Sequence, residues 1–242
     1  MLAKTRGIIL RSVKFKESSL ILLIFTRELG LKSYIINGVR NQRSVAGPAT
    51  LQVMNLVDLV VYDKDSNEIN RIKEARPAVQ YNQLFFNIAL SSIGIFMVEI
   101  IRLCIKEKEQ NLPLFDFIEG AFRFLDEQKE QYASFHLSFL LHFCTYLGFQ
   151  PDDNFSSVNC IFDMIEGKYI SSPPFHRDYL DKEMSYYFYQ LASTDLMDFK
   201  SVVIPKNQRN DLVDDILKYY KIHIGDFGEV KSLEIFKHIF RA

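Results

Sequence analysis

The chain has 242 residues, 48% of them hydrophobic, with 21 Phe, no Trp and a formal net charge of −1. Its three scattered cysteines, Cys104, Cys144 and Cys160, make no disulfide framework and fit a reducing, cytoplasmic compartment. The N-terminal run is interrupted by charge too early for a secretory signal, and the most apolar stretch, Leu84 to Ile105, contains Asn87, Glu99 and Arg102, so it reads as a buried helix and not a membrane span.

The near-zero charge conceals two opposite parts. Residues 1–80 carry 13 Lys and Arg against 7 Asp and Glu, a net of +6, while residues 81–242 carry 16 against 23, a net of −7. Lys4, Arg6, Arg11, Lys14, Lys16, Arg27, Lys32, Arg40 and Arg43 stand in the first fifty residues with only Glu17 and Glu28 against them. Such a split suggests an end that faces nucleic acid. The alternative from composition alone is a barrel whose exposed residues happen to be basic.

In chain order, residues 1–80 read as five strands. Thr5 to Ser12 is the first. Ser19 to Thr26, apolar throughout, is the second, and both of its faces should be covered. Lys32 to Asn37 is the third, ended by Gly38. The polar run Val39 to Pro48 reads as a loop. Leu51 to Tyr62 is the fourth strand, Asp63 to Asn67 a turn cluster, and Ile69 to Arg76 the fifth, stopped by Pro77. Five short strands with the longest connection after the third match the OB barrel in count and spacing. The strand order is not legible at this level.

After Pro77 the period becomes helical. Leu84 to Ile105 is one helix. Leu114 to Leu125 is a second, with Pro113 at its start, and Tyr132 to Leu147 a third, capped by Gly148. Ile161 to Ile170 reads as a hairpin turning at Glu166-Gly167. Helices resume at about Asp178–Ala192, Asn210–Tyr220 and Lys231–Phe240. The expected architecture is α+β: an OB barrel over 1–80, then a helical bundle over 81–242 with a hairpin insertion at about 155–172.

Catalytic constellations are missing. There is no Walker A loop, GxGxxG, HExxH or GxSxG. His136, His142, His176, His223 and His238 lack metal-ligand spacing. Asp214-Asp215 are helix neighbours that do not face each other, and Asp152-Asp153 read as loop or capping residues. No enzyme is expected, and no small-molecule substrate. The positive signals concern nucleic acid. Arg40 and Arg43 lie in an acid-free loop with Asn41, Gln42 and Ser44, suited to phosphate. Arg6, Arg11, Lys14 and Lys32 add to the barrel's charge, and Arg71, Lys73 and Arg76 read as bases on one strand face. Phe15, between Lys14 and Lys16 in the expected first loop, reads either as a stacking platform for unpaired bases or as a plug beneath the barrel.

The run Gly7-Ile-Ile-Leu-Arg-Ser-Val-Lys-Phe-Lys-Glu-Ser-Ser-Leu20, then Leu29-Gly-Leu31, Tyr34-Ile-Ile-Asn-Gly-Val-Arg40 and Ala46-Gly-Pro-Ala-Thr-Leu-Gln52, resembles the RecO family of recombination mediators. Tyr146-Leu-Gly-Phe-Gln-Pro151 and the tail from Tyr219 to Ile235 are similar to the family's later segments. The resemblance implies a bacterial, nucleoid-associated DNA-repair protein with an OB domain and a helical domain and no catalytic residues. It implies binding of single- and double-stranded DNA, strand annealing, and recombinase loading with RecR and the acidic tail of single-stranded-DNA-binding protein. Arg102, Arg123, Lys129 and Lys168, bases near apolar helix faces, are candidates for that tail. The competing reading is an OB scaffold that docks proteins without touching DNA.

Two departures stand out. Many members carry a four-cysteine zinc site after the segment matching Gly148 to Pro151. Here Cys160 alone remains, and one thiol cannot hold Zn²⁺, so a zinc-less hairpin held by Phe155, Ile161, Phe162 and Tyr169 is expected. Asn37 stands where the family pattern often has a base.

Overall fold

The apolar strands of the first eighty residues close on themselves. The computed structural model describes residues 1–39, 46–64, 68–106 and 108–241, and its N-terminal part is a closed barrel. The strands are β1 (Leu2–Phe15), β2 (Ser19–Thr26), β3 (Gly30–Ile36), β4 (Leu56–Tyr62) and β5 (Ile69–Pro77). Their order is β1-β2-β3-β5-β4, with β4 returning to β1 and one parallel pair, β3 with β5. This is an OB-like barrel. Ile9, Leu22, Ile24, Tyr34, Ile36, Val57, Leu59, Val61 and Ile72 fill its interior.

The long β1 serves both neighbours of the closure: its first half pairs with β4 and its second with β2. It extends further than its hydrophobic run, so Phe15 is the last residue of the strand, opposite Ser19, and not a loop residue. It is also 39% exposed, which rules out the plug. The fourth strand begins five residues later than its apolar pattern. Leu51 and Met54 are buried in turns that cap the barrel core, so burial without strand geometry produced the early start. No helix lies between Ala46 and Asn55.

Two helices follow in the same compact unit, Met1–Asp126: α1 (Ile88–Cys104) and α2 (Leu112–Asp126). Asn87 caps α1 by accepting from the Ala89 and Leu90 amides, as N-cap asparagines do. Gly30 has φ +68° and sits so close to the Lys108 and Glu109 carbonyls that a Cβ would meet them at 2.3 and 2.5 Å. Asp126, at the end of α2, accepts from the backbone N–H groups of Asn82, Gln83 and Leu84 at 2.7–3.0 Å. It thereby clamps the barrel-to-helix connection.

The second unit, Glu127–Ala242, holds α3 (Phe135–Leu147), β6 (Ile161–Asp163), β7 (Lys168–Ile170), α4 (Lys182–Ser193), α5 (Lys206–His223) and α6 (Leu233–Arg241). A short 3-10 turn, Leu196–Ser201, joins α4 to α5. Gly148 ends α3 at φ 84° and Gly167 turns the hairpin at φ 68°. Aromatic packing holds the hairpin: Phe162 lies 4.4 Å from Phe188 and 5.0 Å from Tyr169, and Phe155 stacks on Tyr189 at 4.6 Å. No group of His, Cys, Asp or Glu among the described residues could hold a metal. Around Cys160, the acid Asp163 is spent on the Ile165 and Glu166 amides and on His176 at 3.3 Å. The residues do not fit a zinc site.

His136 on α3 packs against Phe236 at 4.5 Å. Burial, with Arg209 nearby, pushes its pKa down to about 3. The folded unit therefore binds fewer protons than the unfolded chain below the ordinary His value near 6.5. Stability is present above that value and lost as pH falls toward 3, at about 1.4 kcal/mol per pH unit at most. Asp215, pushed up to about 6 mainly by burial, has the opposite slope between about 4 and 6. Comparing wild type with His136→Phe isolates the histidine: urea unfolding at pH 7 and pH 5 should show a smaller loss in the variant. Equal losses would remove His136 from the acid response.

Candidate nucleic-acid interface

Arg6 and Arg11 lie five apart, as do Arg71 and Arg76. In regular strands an odd spacing puts two side chains on opposite faces. Each pair is returned to one side by a β-bulge, in β1 between Ile9 and Arg11 and in β5 opposite Val60 and Val61, where one extra residue is absorbed. All four arginines point outward, yet they reach two different sides of the barrel.

One side is ion-paired. Arg6 donates to Asp58 at 2.8 Å and to Glu119 of α2 at 3.1 Å. Arg27 makes a two-pronged bond to Asp116 at 2.8 and 3.1 Å, which holds its guanidinium charged well above the usual range. Arg76 lies opposite Asp58 and 3.9 Å from Glu74. A 580 Å³ pocket here is lined by Lys4, Arg6, Arg27 and Arg76 together with Glu28, Asp58 and Glu74. Bases so balanced offer little net field to a phosphate.

The other side carries no acid on its strands. Across β1, β2, β3, β5 and β4 the register makes one outer row: Val13, Ile21, Ile35, Arg71 and Tyr62. Beside it run Arg11, Leu23, Ser33 and Ile69. Val13, Phe15, Tyr62 and Ile69 are 39–45% exposed. Arg11, Lys14, Lys16, Arg71 and Lys73 are exposed around them, and none has a carboxylate within ion-pair distance among the described residues. Lys16 lies 5.5 Å from the Phe15 ring centre, a cation–π contact. From Arg11 to Arg71 is three strand spacings, roughly 14 Å. Exposed rings and aliphatics edged by unpaired bases are the chemistry that unstacked bases and phosphates require.

Lys32 does not join this surface. Its register points it toward the barrel end, where it meets Asp63 at 2.8 Å and both are 16% exposed. Asn70 donates to the same carboxylate. The three form a polar plug, so Lys32 is held inside an ion pair. Arg40 and Arg43 lie outside the described residues. The outer face thus gathers Arg11 and Arg71, leaves Lys14 exposed at the barrel end in the inward phase opposite Leu20, and sets Arg6, Arg76 and Lys32 apart. Lys73, expected on the strand face with Arg71, is exposed, and the surface adds Lys16 and Tyr62, which sequence reasoning left off the site. Of these, Tyr62 had a legible signal: an aromatic in the outward phase at a strand end. Arg102 lies 3.8 Å from Glu99, Arg123 donates to Glu119 and Lys168 to Glu166, while Lys129 is exposed.

The N-terminal domain model of recombination protein O matches residues 1–81, and the C-terminal domain model matches residues 86–234. Similar full-length relatives are named DNA repair protein RecO. The protein of Flavobacterium psychrophilum is 31% identical over 242 residues, that of Azobacteroides pseudotrichonymphae 30% over 240, and that of Phocaeicola vulgatus 29% over 240. Each alignment covers 99% of this chain and 100% of the relative.

Proposed function

The chain belongs to the recombination protein O family of DNA repair proteins, and from that premise we propose that it is a non-catalytic mediator whose barrel binds single- and double-stranded DNA on the side whose strands carry no acid. The carrying observation is the segregation of charge. Arg6, Arg27 and Lys32 are neutralised by partners on the barrel or on α2, whereas Arg11, Lys14, Lys16, Arg71 and Lys73 are left facing solvent beside Phe15 and Tyr62. Bases on this side neutralise phosphates, so two complementary strands meet with less repulsion and anneal. The exposed rings favour unpaired bases, which stack without being read. Arg40 and Arg43 extend the same set in this proposal.

Recombinase loading would run through RecR and the acidic tail of single-stranded-DNA-binding protein. Lys129 is the first candidate for that tail, because Arg102, Arg123 and Lys168 already have carboxylate neighbours.

Five neutralised phosphates predict that log affinity falls against log salt with a slope of about −3.5 for single strands and about −4.5 for duplex. Anisotropy of a labelled oligonucleotide over a salt series measures it. Salt-independent binding would refute the electrostatic account. No binding even at low salt would leave the barrel as a protein-docking module.

A further inference from the structure

The carboxylates Asp152 and Asp153, which follow Pro151, have no part in the DNA reading. Neither caps a helix, and neither side chain meets a base within ion-pair distance among the described residues. Both line a pocket of about 240 Å³ with Pro151, Tyr169, Tyr189 and Ser193. It lies wholly within the second unit. It is smaller than sites for drug-sized ligands, which start near 300 Å³, and suits one long side chain.

Several independent features give this pocket one sign. The last turn of α4 lines it through Ala192 and Ser193, and that turn carries no base to balance the helix C-terminus, the negative end of the dipole. Tyr169 is the most enclosed lining residue, 2% exposed, and its hydroxyl is buried without a hydrogen-bond partner among the described residues. A buried hydroxyl left unpaired is uncommon enough to need an occupant or a cause. Burial first, then neighbouring Tyr189, Tyr219 and Asp153, keeps the phenol protonated far above its ordinary range. Its oxygen therefore remains a neutral acceptor. Tyr189 supplies an aromatic wall, fixed by its stack on Phe155.

We propose that this pocket receives a guanidinium group, the side chain of an arginine presented by a protein partner. The adjacent carboxylates take its paired N–H donors, the Tyr169 hydroxyl accepts another, and the Tyr189 ring meets its face. A planar, permanently charged fork fits this set better than a lysine ammonium. The same carboxylates repel phosphate, so the site takes a protein and not nucleic acid.

The test is an amide NMR titration of the full chain with Nα-acetyl-arginine amide, against the citrulline analogue, which is nearly isosteric and uncharged. Saturable shifts are expected at residues 152–153, 169 and 192–193, with citrulline about tenfold weaker or worse, one contact-sized increment of binding energy. Asp152→Asn with Asp153→Asn should weaken arginine by about tenfold or more. Tyr169→Phe should weaken it while leaving the melting temperature unchanged, since that hydroxyl has no partner to lose. Equal binding of citrulline, wild-type binding by the double variant, or absence of saturable shifts would overturn the proposal. Equal binding of the lysine analogue would overturn the guanidinium assignment.

Discussion

Reversing Arg11 and Arg71 together to glutamate is expected to weaken single-strand binding by roughly a hundredfold at low salt, about tenfold for each base turned into an acid. The slope of log affinity against log salt should shrink by about one per lost phosphate contact. Both side chains stand on outward strand positions without ion-pair partners among the described residues, so the barrel should unfold at the same denaturant midpoint as wild type. Arg6→Ala is the matched control. Its guanidinium is engaged by Asp58 and Glu119, so its loss should alter stability and leave the salt slope unchanged. Anisotropy titrations of both variants decide the matter. If the reversal leaves affinity intact, or Arg6→Ala reproduces its effect, the Arg11–Arg71 side is not the DNA surface.

Asp126→Ala should cost the first unit about 2–4 kcal/mol. The carboxylate is 7% exposed and satisfies three successive backbone N–H groups. A hydrogen bond to a charged acceptor contributes about 1.5–3 kcal/mol; the three donors share one carboxylate and water enters the vacated site, so the loss amounts to about one to two such bonds. Asp126→Asn keeps one accepting oxygen and should recover about half of the loss. Urea unfolding at neutral pH measures both variants. A change under about 1 kcal/mol for the alanine variant would show that the clamp is dispensable.

Much of this arrangement was legible before any coordinates. Strand count, the basic barrel, the glycine stop of α3 and the Gly167 turn follow from local rules: alternation, punctuation and left-handed backbone. What escaped depends on distant residues. Arg6 and Arg27 look as available as Arg11 in sequence, but Glu119 and Asp116 lie about ninety or more residues downstream on α2. Lys32 reads as one more surface base until β4 delivers Asp63 to it. The bulges that align Arg6 with Arg11 and Arg71 with Arg76 are set by pairing register, which no single strand encodes. Phe15 was misplaced because its strand runs past its hydrophobic run, carried by backbone pairing with β2 alone.

The parallel pairing of Ser33–Ile35 with Ile69–Arg71 also orders events in time. Translation proceeds from the N-terminus, so β1, β2 and β3 can form a meander as they emerge. The free edge of β3 must then wait until residue 71 has left the ribosome. Closure is a non-local step, and such contacts slow folding. A three-stranded sheet with an open apolar edge is an aggregation hazard during that interval. Arg71, which completes the outer row, is also among the last barrel residues made, so the nascent chain acquires its full basic surface only as it loses its exposed edge.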